Sequence, residues 1–154
     1  MKIWLVSFGK QQEASTREAL DDFTRRVTRY FPCEWKMLPP SKLTEPNQIK
    51  KQEAQLFLQQ LQPDDYLVLL DERGKNISSP DLAQLIQDRA NESRRQLIFL
   101  IGGAYGVDNS VQQRANFTWS LSKLVFPHQL VRLLLAEQVY RACTILRNEK
   151  YHHS

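Results

Sequence analysis

The sequence predicts an α/β fold, a mostly parallel sheet flanked by helices, in a single domain over residues 1–154. Three observations carry that prediction. Short runs rich in Ile, Val, Leu and aromatic residues alternate with longer segments whose apolar residues recur at helical spacing. The run Tyr66-Leu67-Val68-Leu69-Leu70 is continuously apolar, as a strand buried on both faces would be. The length suits one full core, and no repeat, low-complexity tract or linker divides it.

Lys2 to Phe8 reads as the first strand, ended by Gly9. From Glu13 to Phe31 an apolar stripe of Ala14, Leu20, Phe23, Val27 and Phe31 predicts an amphipathic helix. Its outward face carries Arg17, Arg25, Arg26 and Arg29, which suit either a solvated face or an RNA-facing patch. Cys33 to Leu38 is a second strand, closed by Pro39-Pro40, and Ser41 to Gln48 is a polar connection. Pro46 suits the first turn of a helix from about Asn47 to Leu61, which Pro63-Asp64-Asp65 breaks. After the third strand, Ser79 is the expected N-cap, with Pro80 at the first helical position, of a helix reaching Asn91. Gln96 to Ile101 is the fourth strand, and Ser120 to Phe126 is a fifth strand or an extended loop. Gln129 to Leu146 is the last helix, with apolar residues on more than one stripe. Such a helix must be buried on two sides, one against the sheet and the other, for want of remaining elements, at a subunit interface.

Composition narrows the function. The amino end lacks a signal-peptide pattern, and no apolar run approaches a membrane span, so a cytoplasmic protein is expected. Cys33 and Cys143 sit in apolar patterns and read as small buried residues. No zinc-binding spacing, dinucleotide fingerprint or phosphate-binding loop motif is present, and no metal site is expected. The net charge of +4 permits an anionic partner without demanding one.

Two strand ends are candidates for chemistry, because ligands of open parallel sheets bind beyond the carboxyl ends of strands. One is Leu70-Asp71-Glu72-Arg73-Gly74 and the other is Gly102-Gly103-Ala104-Tyr105-Gly106. Paired glycines form a tight turn or let main chain approach a ligand. The stretch from Ser120 to Phe126 offers main-chain groups beside apolar side chains, which suits a purine as well as it suits an edge strand. A polar seam of Glu137, Arg141, Thr144 and Asn148 runs along the last helix, and Glu137 is spaced to pair with Arg141. The tail gathers Arg147, Lys150, Tyr151, His152 and His153, an aromatic among cations, as stacking on an unpaired base requires.

The pattern Phe99-Leu100-Ile101-Gly102-Gly103-x-x-Gly106, then Ser120-Leu121-Ser122-Lys123, then Phe126-Pro127-His128-Gln129-Leu130-x-Arg132 resembles the SPOUT methyltransferases. More narrowly, with Glu137-Gln138-Val139-Tyr140-Arg141-Ala142 and the ending Tyr151-His152, the chain resembles the family that methylates N3 of a pseudouridine in bacterial large-subunit ribosomal RNA. The ending differs in carrying His153-Ser154, where that family commonly has a basic residue.

The resemblance implies a carboxyl-terminal trefoil knot and S-adenosylmethionine as cofactor. It places Leu70, Gly102, Gly103 and the loop Leu121, Ser122, Lys123, Leu124, Val125 and Phe126 around that cofactor. It implies a homodimer with the last helix at the interface, and 23S rRNA in the assembled 70S ribosome as substrate. His128, Arg141, Tyr151 and His152 match positions facing the RNA. Among these, His152 suits assistance of proton loss from N3, because an imidazole titrates near neutral pH. Tyr151 would orient the base, and Arg141 would hold a phosphate or base carbonyl. No metal is needed. A SPOUT enzyme acting on another RNA and a non-catalytic ribosome-associated factor are the competing readings.

Overall fold

The computed structural model describes residues 1–153. In chain order the elements are β1 (Lys2–Phe8), α1 (Ala14–Val27), β2 (Cys33–Leu38), α2 (Pro46–Leu58), β3 (Tyr66–Asn76), α3 (Ser79–Asn91), β4 (Gln96–Ile101), α4 (Asn109–Arg114), β5 (Phe117–Ser120) and α5 (His128–Leu146). The five strands form one sheet in the order β2-β1-β4-β3-β5, and every neighbouring pair is parallel.

The sheet has apolar packing on both faces, which explains the unbroken apolar runs of β3 and β4. Leu97, Phe99 and Ile101 of β4 belong to the core shared with α1, α3 and α5. Ile98 and Leu100, pointing the other way, join Ala54 and Phe57 of α2 and Val111 of α4. Cys33 and Cys143 are buried free thiols in the first of these cores, and burial pushes each up to about 12.

Several boundaries differ from the sequence expectations. The cap of α3 is Ser78, not Ser79: its hydroxyl accepts from Asp81 N at 3.1 Å while the Asp81 carboxylate accepts from Ser78 N at 3.0 Å. Only with Ser78 as cap does an acidic residue fall at the third helical position, where the reciprocal bond can form. α1 ends at Val27 and α2 at Leu58, each closing in a turn before the last expected apolar residue. β5 stops at Ser120, whose hydroxyl donates to Ser122 O at 3.0 Å and turns the chain into a loop. The short α4 was not expected; Asp108 caps it by accepting from Ser110 N at 3.1 Å.

The last helix is the main correction. Both flanks of α5 are covered within the chain, because it lies on the sheet between α1 and α3. Its apolar circumference therefore does not by itself require a second subunit. Thr144, expected on a polar seam, is fully buried and donates to Arg141 O at 2.7 Å.

No helix among the described residues is long and apolar enough to cross a membrane.

Candidate functional site

A cavity of about 590 Å³ opens beyond the carboxyl ends of β3 and β4. Its walls come from four places in the chain: Leu70 to Arg73, Ile101 to Val107, the loop after β5, and the first turn of α5 with His128 and Val131. Lys50 reaches it from α2.

The register of β3 against β5 explains the first wall. Leu70 and Lys75 both face Trp119, so the intervening residues bulge out of the ladder. Gly74 permits this, since a Cβ there would sit 2.6 Å from Thr118 O. Bulges commonly re-aim side chains beside functional sites. Here Asp71 is presented at the cavity, paired with Arg73 through bonds of 3.0 and 2.9 Å. The Arg73 guanidinium holds the Asp71 carboxyl below its ordinary value.

The second wall is a turn in which Gly106 N donates to Gly103 O at 3.0 Å, with Gly106 at φ +83°. The paired glycines serve internal packing. A Cβ on Gly102 would lie 2.8 Å from Val107 Cγ1, and one on Gly103 would lie 2.5 Å from Glu53 Oε1. Close approach by protein neighbours, rather than by a ligand, is what requires glycine at these two positions.

Eight of the nine residues expected around a cofactor line this one cavity: Leu70, Gly102, Gly103, Leu121, Ser122, Leu124, Val125 and Phe126. Lys123 does not line it and is exposed, because the Ser122 hydroxyl accepts from Leu124 N at 3.0 Å and fixes a turn there. Leu124 and Val125 are largely exposed at the mouth, 69% and 81%. His128 also lines the cavity; its imidazole is pushed down by burial and by the nearby Arg132 cation.

Arg141, Tyr151 and His152 form a second cluster. Asn148 at φ +55° ends α5 in a Schellman motif, with Asn148 N donating to Ile145 O at 3.1 Å and Glu149 N to Thr144 O at 2.9 Å. This turn sends the tail back along the helix. Arg141 Nε and Nη2 donate to one oxygen of Glu137 at 3.0 and 2.6 Å, and Tyr151 OH donates to the same oxygen at 3.1 Å. The Tyr151 ring packs edge-on to Tyr140 at 4.7 Å and lies 4.7 Å from the Arg141 guanidinium. Burial and Glu137 push the phenol above its ordinary value, so it stays a donor. Arg141 Nη1 lies 3.3 Å from His152 Nδ1, and since a guanidinium only donates, that nitrogen accepts.

The two clusters are far apart in one chain. Arg141 follows His128 by thirteen helical residues, roughly 20 Å along the axis at the helical rise. The structure thus brings His128 to the cavity and leaves Arg141, Tyr151 and His152 at the other end of α5.

Two residues have roles that the sequence did not lead us to expect. Arg132 is 1% exposed and its guanidinium donates to Ser7 Oγ at 2.9 Å, Phe8 O at 3.1 Å and Lys10 O at 2.8 Å. Burial pushes it below its ordinary value. It fixes the loop leaving β1 against the start of α5, where Gln12 Nε2 also donates to Gln129 O at 3.0 Å. Glu53 is 9% exposed, abuts Gly103, and burial pushes its carboxyl up. Both were legible, since each falls on an apolar stripe: Arg132 with Leu135, Ala136 and Val139, and Glu53 with Ile49 and Phe57.

The family model described as "Predicted SPOUT methyltransferase" matches residues 1–152. The chain is 44% identical to the ribosomal RNA large subunit methyltransferase H of Cytophaga hutchinsonii, covering 99% of this chain and 100% of the relative. It is 42% identical to the protein of that name from Parabacteroides distasonis, covering 99% of each. Among solved structures, a probable methylase family protein from Haemophilus influenzae Rd KW20 aligns with a TM-score of 0.51 at 12% identity, over 95% of this chain and 66% of that one, a likeness of fold alone. With a family model matched over nearly the whole chain and relatives matched end to end, this protein belongs to the SPOUT methyltransferases, in the ribosomal RNA large subunit methyltransferase H family.

Proposed function

We propose that this protein is an S-adenosylmethionine-dependent enzyme that methylates N3 of a pseudouridine in 23S rRNA, acting as a cytoplasmic homodimer on the assembled 70S ribosome. The observation that carries the reading is the single cavity on which the Gly102-Gly103 turn, Leu70 and the Leu121 to Phe126 loop converge. Its volume of about 590 Å³ is that of a small-molecule site. Leu70, Ile101, Leu121 and Val131 offer apolar walls to a purine, and Lys50 beside Asp71 and Glu72 offers both signs of charge to an amino acid end. The residues present therefore fit S-adenosylmethionine. The reading includes a trefoil knot in the carboxyl-terminal part, which family membership supports.

When bound, S-adenosylmethionine supplies a methyl group activated by its sulfonium. The residues of the chain would hold the reactants in line and dry, which intramolecular rate comparisons value at about 7–11 kcal/mol. N3 of a pseudouridine must also lose a proton. His152 Nδ1 now accepts from Arg141, so its lone pair already points into the tail cluster. An entering base would take that place, its N3–H donating to Nδ1, while Arg141 turns to a base carbonyl or phosphate. Tyr151, already between Tyr140 and Arg141, would stack on or orient the base. Lys123, exposed on the loop after β5, would meet the RNA. His128 would meet the RNA at the cavity mouth.

The separation along α5 supports the homodimer. Arg141 lies roughly 20 Å along α5 from the cavity residue His128 of the same chain, which supports a site completed by a partner's tail. The exposed apolar Leu124 and Val125 at the mouth suit such a contact. Complementation tests this directly. A Gly103→Val variant blocked at the cavity and a Tyr151→Ala, His152→Ala variant blocked at the tail are each expected to be inactive. Mixed and refolded together they regain methylation, because one hybrid site keeps an intact cavity and an intact tail. Failure to regain activity while hybrid dimers form would contradict the shared site.

A further inference from the structure

We propose that the Glu53 carboxylate, seated behind Gly103, makes the cavity prefer a positively charged methyl donor over its neutral demethylated product. The inference rests on the reading of the cavity as an S-adenosylmethionine site.

Glu53 sits where an apolar residue would pack. It lies on the inward stripe of α2 with Ile49 and Phe57, is 9% exposed, and has no hydrogen bond or ion pair among the described residues. Its oxygens keep some solvent contact through the pocket Glu53 shares with Pro39, Pro40 and Ser41, yet a neutral side chain of the same shape would pack on this inward stripe more cheaply. What it faces gives the charge a purpose. Its two oxygens lie 2.5 and 3.0 Å from the position a Gly103 Cβ would take, and Gly103 is itself cavity wall. Because Gly103 has no side chain, only a glycine's main chain separates the carboxylate from the cavity.

The surrounding charges offset this field only in part, through Lys50, which lines the cavity as well as the void beside Glu53. Lys50 and Asp108 share a small void with Glu53, but no ion pair joins Lys50 to either acid, and Asp108 is occupied by Ser110. Of the two carboxylates that line the cavity directly, Asp71 is paired with Arg73 and Glu72 is exposed to solvent. A buried charge acts through a medium of low dielectric, so it is felt across a few ångströms of protein more strongly than a solvated one. Methyl transfer removes the sulfonium charge: the donor's S–CH₃ bond breaks, its electron pair stays on sulfur, and the thioether left behind is neutral there. A fixed anion behind the wall therefore holds the donor and loosens the spent product.

Calorimetric titration of the wild type and Glu53→Gln with S-adenosylmethionine and with S-adenosylhomocysteine, in mildly alkaline buffer, decides the matter. In E53Q the donor is expected to bind about tenfold more weakly while the product changes less than about twofold, a charge effect of the size buried groups exert. Glu53→Asp keeps the charge and should keep the preference for the donor. E53Q is expected to melt no lower than the wild type, because it removes an unpaired buried charge. Equal loss of both ligands, loss of neither, or a markedly lowered melting temperature would overturn the proposal and leave Glu53 as a packing residue. Wild-type protein that binds neither ligand would instead overturn the cofactor reading.

Discussion

Replacing Arg132 with methionine tests the packing that positions the cavity. The guanidinium, 1% exposed, makes three bonds shorter than 3.2 Å, to Ser7 Oγ, Phe8 O and Lys10 O, and has no acid partner among them. Hydrogen bonds to a charged group contribute about 1.5–3 kcal/mol each, and a buried carbonyl left unpaired costs about 1–3 kcal/mol. Against this, removal of the cation relieves its desolvation, which offsets a large part of the loss. The net expectation is about 3 kcal/mol of destabilisation, a melting temperature lower by roughly 6–12 °C for a chain of this size. Urea unfolding followed by tryptophan fluorescence and circular dichroism measures it, with the midpoint falling and the slope unchanged. Lysine at this position retains a charge but not the fork, and should recover only part of the loss. An R132M protein within about 0.5 kcal/mol of wild type, the range of ordinary surface substitutions, would refute the claim that this network anchors α5 to the loop after β1.

Three further outcomes follow from the geometry. Gly103→Ala forces a Cβ to within 2.5 Å of Glu53 Oε1, so the affinities for donor and product measured by calorimetry should both fall at least about tenfold, and only the product's should partly recover in the G103A, E53A double variant, as neighbouring sites couple. Tyr151→Phe removes one of three bonds to Glu137 Oε1; stability should change by less than about 1.5 kcal/mol, while single-turnover methylation of ribosomes falls and donor affinity does not. Asp71 has a folded pKa depressed by Arg73, so its contribution to stability is present above its unfolded value and is lost as pH falls through the folded one. Because Arg73 is 69% exposed, Asp71→Asn should cost less than about 1 kcal/mol in neutral urea titrations, and the difference should vanish in acid.

Much of the fold was legible because the strands are short, apolar and separated by amphipathic helices. β1, β2 and β4 occupy the expected residues, and β3 starts where expected but runs on to Asn76, past Leu70. The extension was hidden because Asp71 to Gly74 is a bulge, whose polar residues read as a loop end. α4 has only six residues, too few for a period to emerge. What covers α5 within the chain was misread for a different reason. Apolar periodicity reports how many sides of a helix are covered, not what covers them, and here α1 and α3 do so within the chain.

The candidate site divides in the same way. Gly102-Gly103 and Leu121 to Phe126 stand out locally, and the residues from both segments meet at one cavity apart from Lys123. The separation of His128 from Arg141 follows from their spacing on the predicted helix, whereas the return of Tyr151 and His152 onto Glu137 and Arg141 is tertiary information. Glu53 and Arg132 escaped because charged residues are ordinarily read as surface, although each lies on an apolar stripe. A charged residue in phase with the core is the signal that would have found both.

The proposed activity is methylation of N3 on one pseudouridine of 23S rRNA. Mass spectrometry of 23S rRNA from cells with and without the protein tests it most directly. Deletion should remove one methyl group from one pseudouridine in the ribosome, and supplying the wild-type chain, but not the Tyr151→Ala, His152→Ala variant, should restore it. An unchanged methylation pattern in 23S rRNA after deletion would rule the activity out.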